Sequence, residues 1–265
     1  MEAYSFLAAP FVLAILLVGI HAYLGLHVLK RDVVFVDISL SQIAALGSTV
    51  SLFFASEGEN KGLALLLSLT FCLAISFILA ALRHFEKKVS QEALIGMTYA
   101  LASGALILVT DKLPHGAEHL KEALVGNILF VTWPEVLETT VVYAIVGGLH
   151  WVFRKQFWNA SEGNNKKFVW DFLFYFLFGI VITFSTRHAG VLVVFSILVA
   201  PAALAGRFLN KVSSQLSLAW LTGSVGVLLS FVLSYRWDLP SGATIVCTLT
   251  TLFFLALFIK PKAVY

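Results

Sequence analysis

The chain has 265 residues, of which 59% are hydrophobic and 12% charged, with a formal net charge of +3. A soluble domain carries about 25% charged residues, so this composition excludes a soluble globular protein and describes an integral membrane protein over its whole length. No polar half remains for a separate soluble domain, and residues 1–265 read as one transmembrane domain. The first apolar stretch, MEAYSFLAAPFVLAILL, lacks the basic n-region of a cleaved signal peptide and reads as a retained helix.

In chain order, windows of about 20 apolar residues predict helices near 8–29, 35–55, 62–82, 92–110, 135–153, 169–186, 190–205, 216–235 and 241–259. A short helix is expected around His119–Ile128 within the longer 111–134 connection. Nine spans put the termini on opposite sides. The count becomes eight or ten if 35–55, which opens on Asp37, Ser39, Ser41 and Gln42, is re-entrant, or if 111–134 is partly buried. One set of loops holds thirteen basic residues, among them Lys30, Arg31, Arg83, Arg154, Lys155, Arg207 and Lys211; the other holds Lys61, Lys112, Lys121, Arg187 and Arg236. That bias predicts a cytoplasmic C-terminus and an outward N-terminus. No strand alternation is visible, so the expected fold is all-α. No inverted half-repeat of the kind many secondary carriers carry is found.

Ionisable and polar groups inside apolar spans are costly and mark candidate sites. Here they are His21 and His27 in the first helix, Asp37 and Gln42 in the second, Glu92 at the start of the fourth, and His188. Asp37 and Ser41 share a helix face with Ala44, Ala45 and Ser48, while Gln42 lies about 140° from Asp37 on an ideal helix. Asp37 reads equally as a first-turn residue bonded to backbone amides and as a lining of a substrate path. Glu92 reads as a charge complementing its own helix N-terminus. His21 and His27, six residues apart, sit on different faces and cannot form one helix-borne metal pair; each reads first as a histidine bonded to a neighbouring helix. Loop residues His115 and His119 are a weak metal signal. A mix of Asp, Gln and His suits a borderline divalent ion such as zinc or manganese. Cys72 and Cys247 fall in apolar spans and read as small buried hydrophobes.

The stretch Gly190–Arg207, GVLVVFSILVAPAALAGR, is unlike the other spans. It runs through Pro201 into Ala202, Ala203, Ala205 and Gly206 before reaching Arg207. A membrane helix expected to break at a proline and continue as a small-faced basic segment offers a docking surface, because small residues admit another backbone closely. No G-x-x-x-x-G-K-[ST] phosphate loop occurs; GENKG at 58–62 lacks the pattern. The chain is therefore read as a non-enzyme, and any ATP-driven motion comes from another subunit.

With those residues located, the chain resembles the permease subunits of bacterial zinc/manganese ABC importers. The likeness runs through SQIAALG at 41–47, SQEALIGMTYALASGALIL at 90–108, VGNILFVTWPEV at 125–136, Gly190–Arg207 and DLPSGATIVCTLTTLFFLAL at 238–257. It implies a type II importer-like permease of the bacterial inner membrane. It also implies a homodimer with two ATPases and an extracytoplasmic metal-binding protein, with no permanent cofactor and no nucleic acid. It implies that Pro201, Ala202, Ala203, Ala205, Gly206, Arg207 and Asn210 form the coupling helix to the ATPase. Ser41, Gly47, Asp238, Pro240 and Gly242 become helix-packing or gate positions. The metal path is expected among Asp37, Gln42, His21, His27 and His188, with zinc the first ion and manganese the second. Gln42 stands where the family has a histidine, and Asp37 is one residue away from the family's aspartate, at Ile38 here. The readings left beside this one are a permease for a metal chelate or other non-metal cargo and an ion-coupled carrier.

Overall fold

The computed structural model describes residues 2–54, 61–85, 88–113, 126, 128–163 and 167–260. These residues form ten α-helices and no strand: α1 Glu2–Lys30, α2 Val36–Ser51, α3 Lys61–Phe85, α4 Gln91–Thr110, α5 Trp133–Val152, α6 Arg154–Ser161, α7 Phe168–Ala189, α8 Val191–Phe208, α9 Val212–Trp237 and α10 Ser241–Leu257. A 3-10 turn covers Ile128–Phe130. The short helix expected around His119–Ile128, with His115 and His119, lies almost wholly outside the described residues.

Each expected span contains a helix, but nine membrane crossings is not what the lengths give. Six helices are long and apolar enough to cross, seven if the bent pair α5 and α6 is one span. Helix α2 has 16 residues and α10 has 17. At 1.5 Å per residue these reach about 24–26 Å, short of the roughly 30 Å hydrocarbon core. Polar Asp37, Ser39, Ser41 and Gln42 deplete α2 of apolar length, and Pro240 at the N-cap fixes where α10 starts.

The expected break at Pro201 does not occur: α8 is continuous from Val191 to Phe208 with Pro201 inside it. Proline removes one backbone donor and crowds the preceding turn, a defect tolerated in membrane helices where neighbours compensate. The neighbour here is α9, whose Gly223 leaves room: a β-carbon on Gly223 would meet Pro201 Cγ at 3.3 Å and Val18 Cγ1 at 2.8 Å.

The chain forms two compact units. The first contains residues 1–29, 125–144 and 188–265, and it is assembled through small residues. Gly25 of α1 lies directly against the Leu198 carbonyl of α8, and Ala22, Ala205 and Ala219 form a fully buried contact of α1, α8 and α9. Trp220 Nε1 donates to the Gly19 carbonyl at 2.9 Å, tying α9 to α1.

The second unit contains residues 30–124 and 145–187. Helices α2 and α3 run side by side with matched rungs. A β-carbon on Gly47 would lie 2.7 Å from the Leu67 carbonyl oxygen. Ser68 Oγ donates to the Ala44 carbonyl at 2.7 Å. Cys72 Sγ, buried, faces the Leu40 carbonyl at 3.8 Å and Thr183 Oγ1 of α7 at 3.5 Å. Cys247 is exposed, so only one of the two cysteines is the buried hydrophobe expected.

Gly25→Val should lower the melting temperature of the detergent-solubilised protein, since overpacking costs about 1–3 kcal/mol and the obstacle here is backbone. Gly19→Ala, where an added β-carbon meets nothing within 4 Å, is the control and should leave it unchanged or raise it slightly. Equal melting of the two variants would refute close α1–α8 packing.

Candidate substrate path and coupling surface

Helix α2 begins without a side-chain cap of its own: Phe35, at the N-cap, makes no capping bond. Glu92 of α4 supplies one, its Oε1 accepting from Phe35 N at 3.2 Å. Glu92 therefore serves the N-terminus of a different helix from the one it belongs to. Helix α4 is capped instead by Ser90, whose Oγ accepts from Ala93 N at 3.2 Å.

Within the first turn of α2, Asp37 is fully buried. Neither of its carboxylate oxygens has a hydrogen-bond partner among the described residues, and the same holds for Ser39 Oγ and Ser41 Oγ. The first of the two readings of Asp37, a carboxylate satisfied by backbone amides, is therefore not what the geometry shows. Gln42 is also buried. A buried carboxylate without a partner costs several kcal/mol as an ion, so this end of α2 is a place where a cation would be favourable.

The histidines occupy the other unit. His21 Nδ1 donates to the Leu17 carbonyl one turn back, at 2.9 Å, and its ring stands edge-on to Tyr143 at 6.2 Å. The His27 ring is edge-on to Tyr23 of its own helix at 4.8 Å. His188 is buried near the end of α7. Among the described residues no group of three or more His, Cys, Asp or Glu could hold a metal ion. Asp37 and Gln42 thus share the start of α2 within the second unit, and His21, His27 and His188 belong to the first.

The segment Pro201–Asn210 is divided by burial. Pro201, Ala202 and Ala205 are buried and Ala203 is half-buried, whereas Gly206, Arg207 and Asn210 are exposed. Helix α8 ends at Phe208, and Leu209 is extended. Arg207 Nη2 donates to the Leu257 carbonyl at 3.0 Å and the Ile259 carbonyl at 3.4 Å, closing the C-terminus of α10. Gly206 has open space where a β-carbon would be.

Asp238, Pro240 and Gly242 make a joint between α9 and α10. Asp238 takes a left-handed conformation with φ 51°, which aspartate tolerates better than most residues. Leu239 N bonds to the Ser234 carbonyl at 3.0 Å, and Ser234 Oγ donates back to the Leu239 carbonyl at 2.7 Å.

One cluster has no counterpart in the sequence reading. Asp171 Oδ1 accepts from Arg31 Nη1 at 2.7 Å and from Arg83 Nη1 at 3.0 Å. Arg31 Nε donates to Ser161 Oγ at 2.9 Å, and its guanidinium lies 4.0 Å from the Phe174 ring centroid. Burial pulls the Arg31 pKa below the ordinary arginine value, and Asp171 opposes that pull. The cluster draws the end of α3, the start of α7 and the loop after α1 together. The visible signal was Asp171 as a lone acid in FVWDFLFYF.

The class defined by this fold is the polytopic helical membrane protein. Residues 3–260 match the model of the ABC 3 transport family, and the chain belongs to that family. It is 26% identical over 268 residues to the manganese transport system membrane protein MntC of Listeria monocytogenes, covering 98% of this chain and 92% of that protein. It is 24% identical to the high-affinity zinc uptake system membrane protein ZnuB of Haemophilus influenzae, covering 92% and 93% of the two chains. The structure of PsaBC from Streptococcus pneumoniae in complex with Fab superimposes with a TM-score of 0.78 at 21% identity, covering 97% of this chain and 92% of that one. At that identity the likeness is one of fold.

Asp171→Ala leaves two guanidiniums without their carboxylate, and breaking a buried pair costs about 3–5 kcal/mol. The variant should show a sharp loss of folded, monodisperse protein on size exclusion. Wild-type yield and melting would contradict the buried ion cluster.

Proposed function

We propose that the chain is the membrane-spanning permease of an ATP-driven importer of divalent metal ions, zinc or manganese. The observation that carries the metal reading is Asp37, a fully buried carboxylate with no partner among the described residues. Such a group is costly in an empty protein and favourable beside a passing cation. Ser41, on the same helix face, adds a neutral oxygen donor. Passage requires that binding stay weak enough for release, which a single carboxylate with a neutral oxygen satisfies better than a closed ligand cage. The names of the relatives, manganese and zinc transport proteins, support the same class of cargo.

The energy comes from separate ATPase subunits, since the chain holds no phosphate loop. The exposed residues Gly206, Arg207 and Asn210, with Lys211, are the surface such a subunit would meet. Closure of two ATPases around a permease dimer moves the end of α8, and alternating access follows from that movement. The reading places the protein in the bacterial inner membrane, N-terminus outside and C-terminus cytoplasmic. An extracytoplasmic binding protein delivers the ion, and residues 1–265 work as a single permease domain.

Asp37→Asn should reduce manganese or zinc uptake at least tenfold in cells lacking other importers, with unchanged amounts of protein in the membrane. Undiminished uptake would remove the metal path from α2 and favour a metal chelate as cargo.

Gly206→Glu should abolish ATP-dependent uptake while leaving the melting temperature unaltered, because a side chain there meets open space. Uptake that survives this change would place the ATPase contact elsewhere. ATP-independent uptake in vesicles would point to an ion-coupled carrier. Arg207 is a poorer test site, because its loss also opens the end of α10.

A further inference from the structure

Helix α5 ends at Val152, and α6 leaves it at 78°. If α5 stands across the membrane, a helix at that angle lies along the membrane surface. It is held there by one face. Phe157, Ala160 and Ser161 are buried. The Phe157 ring stacks on His150 at 4.1 Å and meets Trp170 edge-on at 5.6 Å. Ser161 Oγ receives the Arg31 bond already described.

What remains outward is basic and aromatic. Arg154 and Lys155 are exposed, and neither forms an ion pair among the described residues. Arg154 donates one bond to the Trp151 carbonyl at 3.1 Å and lies 4.8 Å from the centroid of the Trp151 ring, which is 69% exposed. The nearby acid, Glu162, is occupied. Its Oε1 accepts from Trp158 Nε1 at 3.0 Å and sits 4.0 Å from Lys30 Nζ. Beneath the helix, two arginines share the single carboxylate of Asp171, so the ground under α6 is also positive.

We propose that the outward face of α6, through Arg154 and Lys155 with Trp151 beside them, binds the headgroup phosphate of an anionic phospholipid. The lipid belongs to the leaflet into which α5 ends. The argument is charge complementarity at a fixed depth. Tryptophan seats at the headgroup level, basic residues next to a membrane helix attract anionic headgroups, and α6, its buried face packed on His150, Trp170 and Arg31, leaves its basic residues outward. Arg154 keeps most of its guanidinium donors unused by described residues, and a phosphate accepts two in parallel. This goes beyond metal transport and does not depend on which ion is carried.

The test uses the purified full chain in neutral detergent, titrated with phosphatidylglycerol or phosphatidylcholine and read by native mass spectrometry. Phosphatidylglycerol should bind in preference, and Arg154→Gln with Lys155→Gln should weaken it about thirty-fold, the effect of two surface cations. The charge-preserving pair Arg154→Lys with Lys155→Arg should retain most of the binding, and Lys112→Gln should change nothing. Melting temperatures should match throughout, because both side chains are exposed. Equal binding of the two lipids, or unchanged phosphatidylglycerol binding in the glutamine pair, would overturn the proposal. So would competition by millimolar inorganic phosphate, which would mark a general anion site. A glutamine pair that binds lipid normally yet loses ATP-dependent uptake would mean that a protein partner, not lipid, occupies this face.

Discussion

A polar group withdrawn from water must find its partner inside the protein, and this chain's architecture follows from how it meets that demand. Helices satisfy their own interiors, so the pressure falls on their ends and on the few charged side chains. Glu92 reaches from α4 to the uncapped start of α2, and Arg207 reaches from α8 to the open carbonyls ending α10. Asp171 satisfies two arginines that lie 140 and 88 positions before it in the chain. Each long-range polar bond does a job that water does in a soluble protein. Asp37 departs from that pattern, a fully buried carboxylate neither of whose oxygens has a described partner.

The same demand explains why small residues recur at the contacts. Apolar burial gives little drive between helices surrounded by lipid, so close backbone approach has to supply cohesion. Gly25 against Leu198 and Gly47 against Leu67 are the places where this is most evident. Pro201 belongs to the same pattern: the turn it weakens is packed beside Gly223 rather than exposed to lipid.

Helix positions were legible because long apolar runs with few charges admit hardly any other reading. The polarity of α2 was legible as well, though its shortness came only with the coordinates, since Leu52–Phe54 are apolar enough to extend a window and yet form a turn. Pro201 misled for a physical reason: proline disfavours helices in water, and whether a neighbour compensates is a three-dimensional fact. Partnerships such as Glu92 with Phe35, or Arg31 with Asp171 across 140 positions, leave no local pattern to read. The division of Pro201–Asn210 into a packed half and an exposed half was hidden likewise, because alanine suits both surroundings.

The bend between α5 and α6 also bears on bilayer thickness. With α5 across the membrane, the 78° bend would lay α6 flat at the end of the span, where it would act as a float fixing the waterline at one end of the second unit. Arg31 bonded to Ser161 and Phe157 packed on Trp170 carry that level to the start of α7. A thicker or thinner membrane would then not be met by sliding this unit along its normal. The adjustment has to be made at the opposite ends of its helices, by tilt or by local thinning of the lipid, at a modest cost per ångström of mismatch.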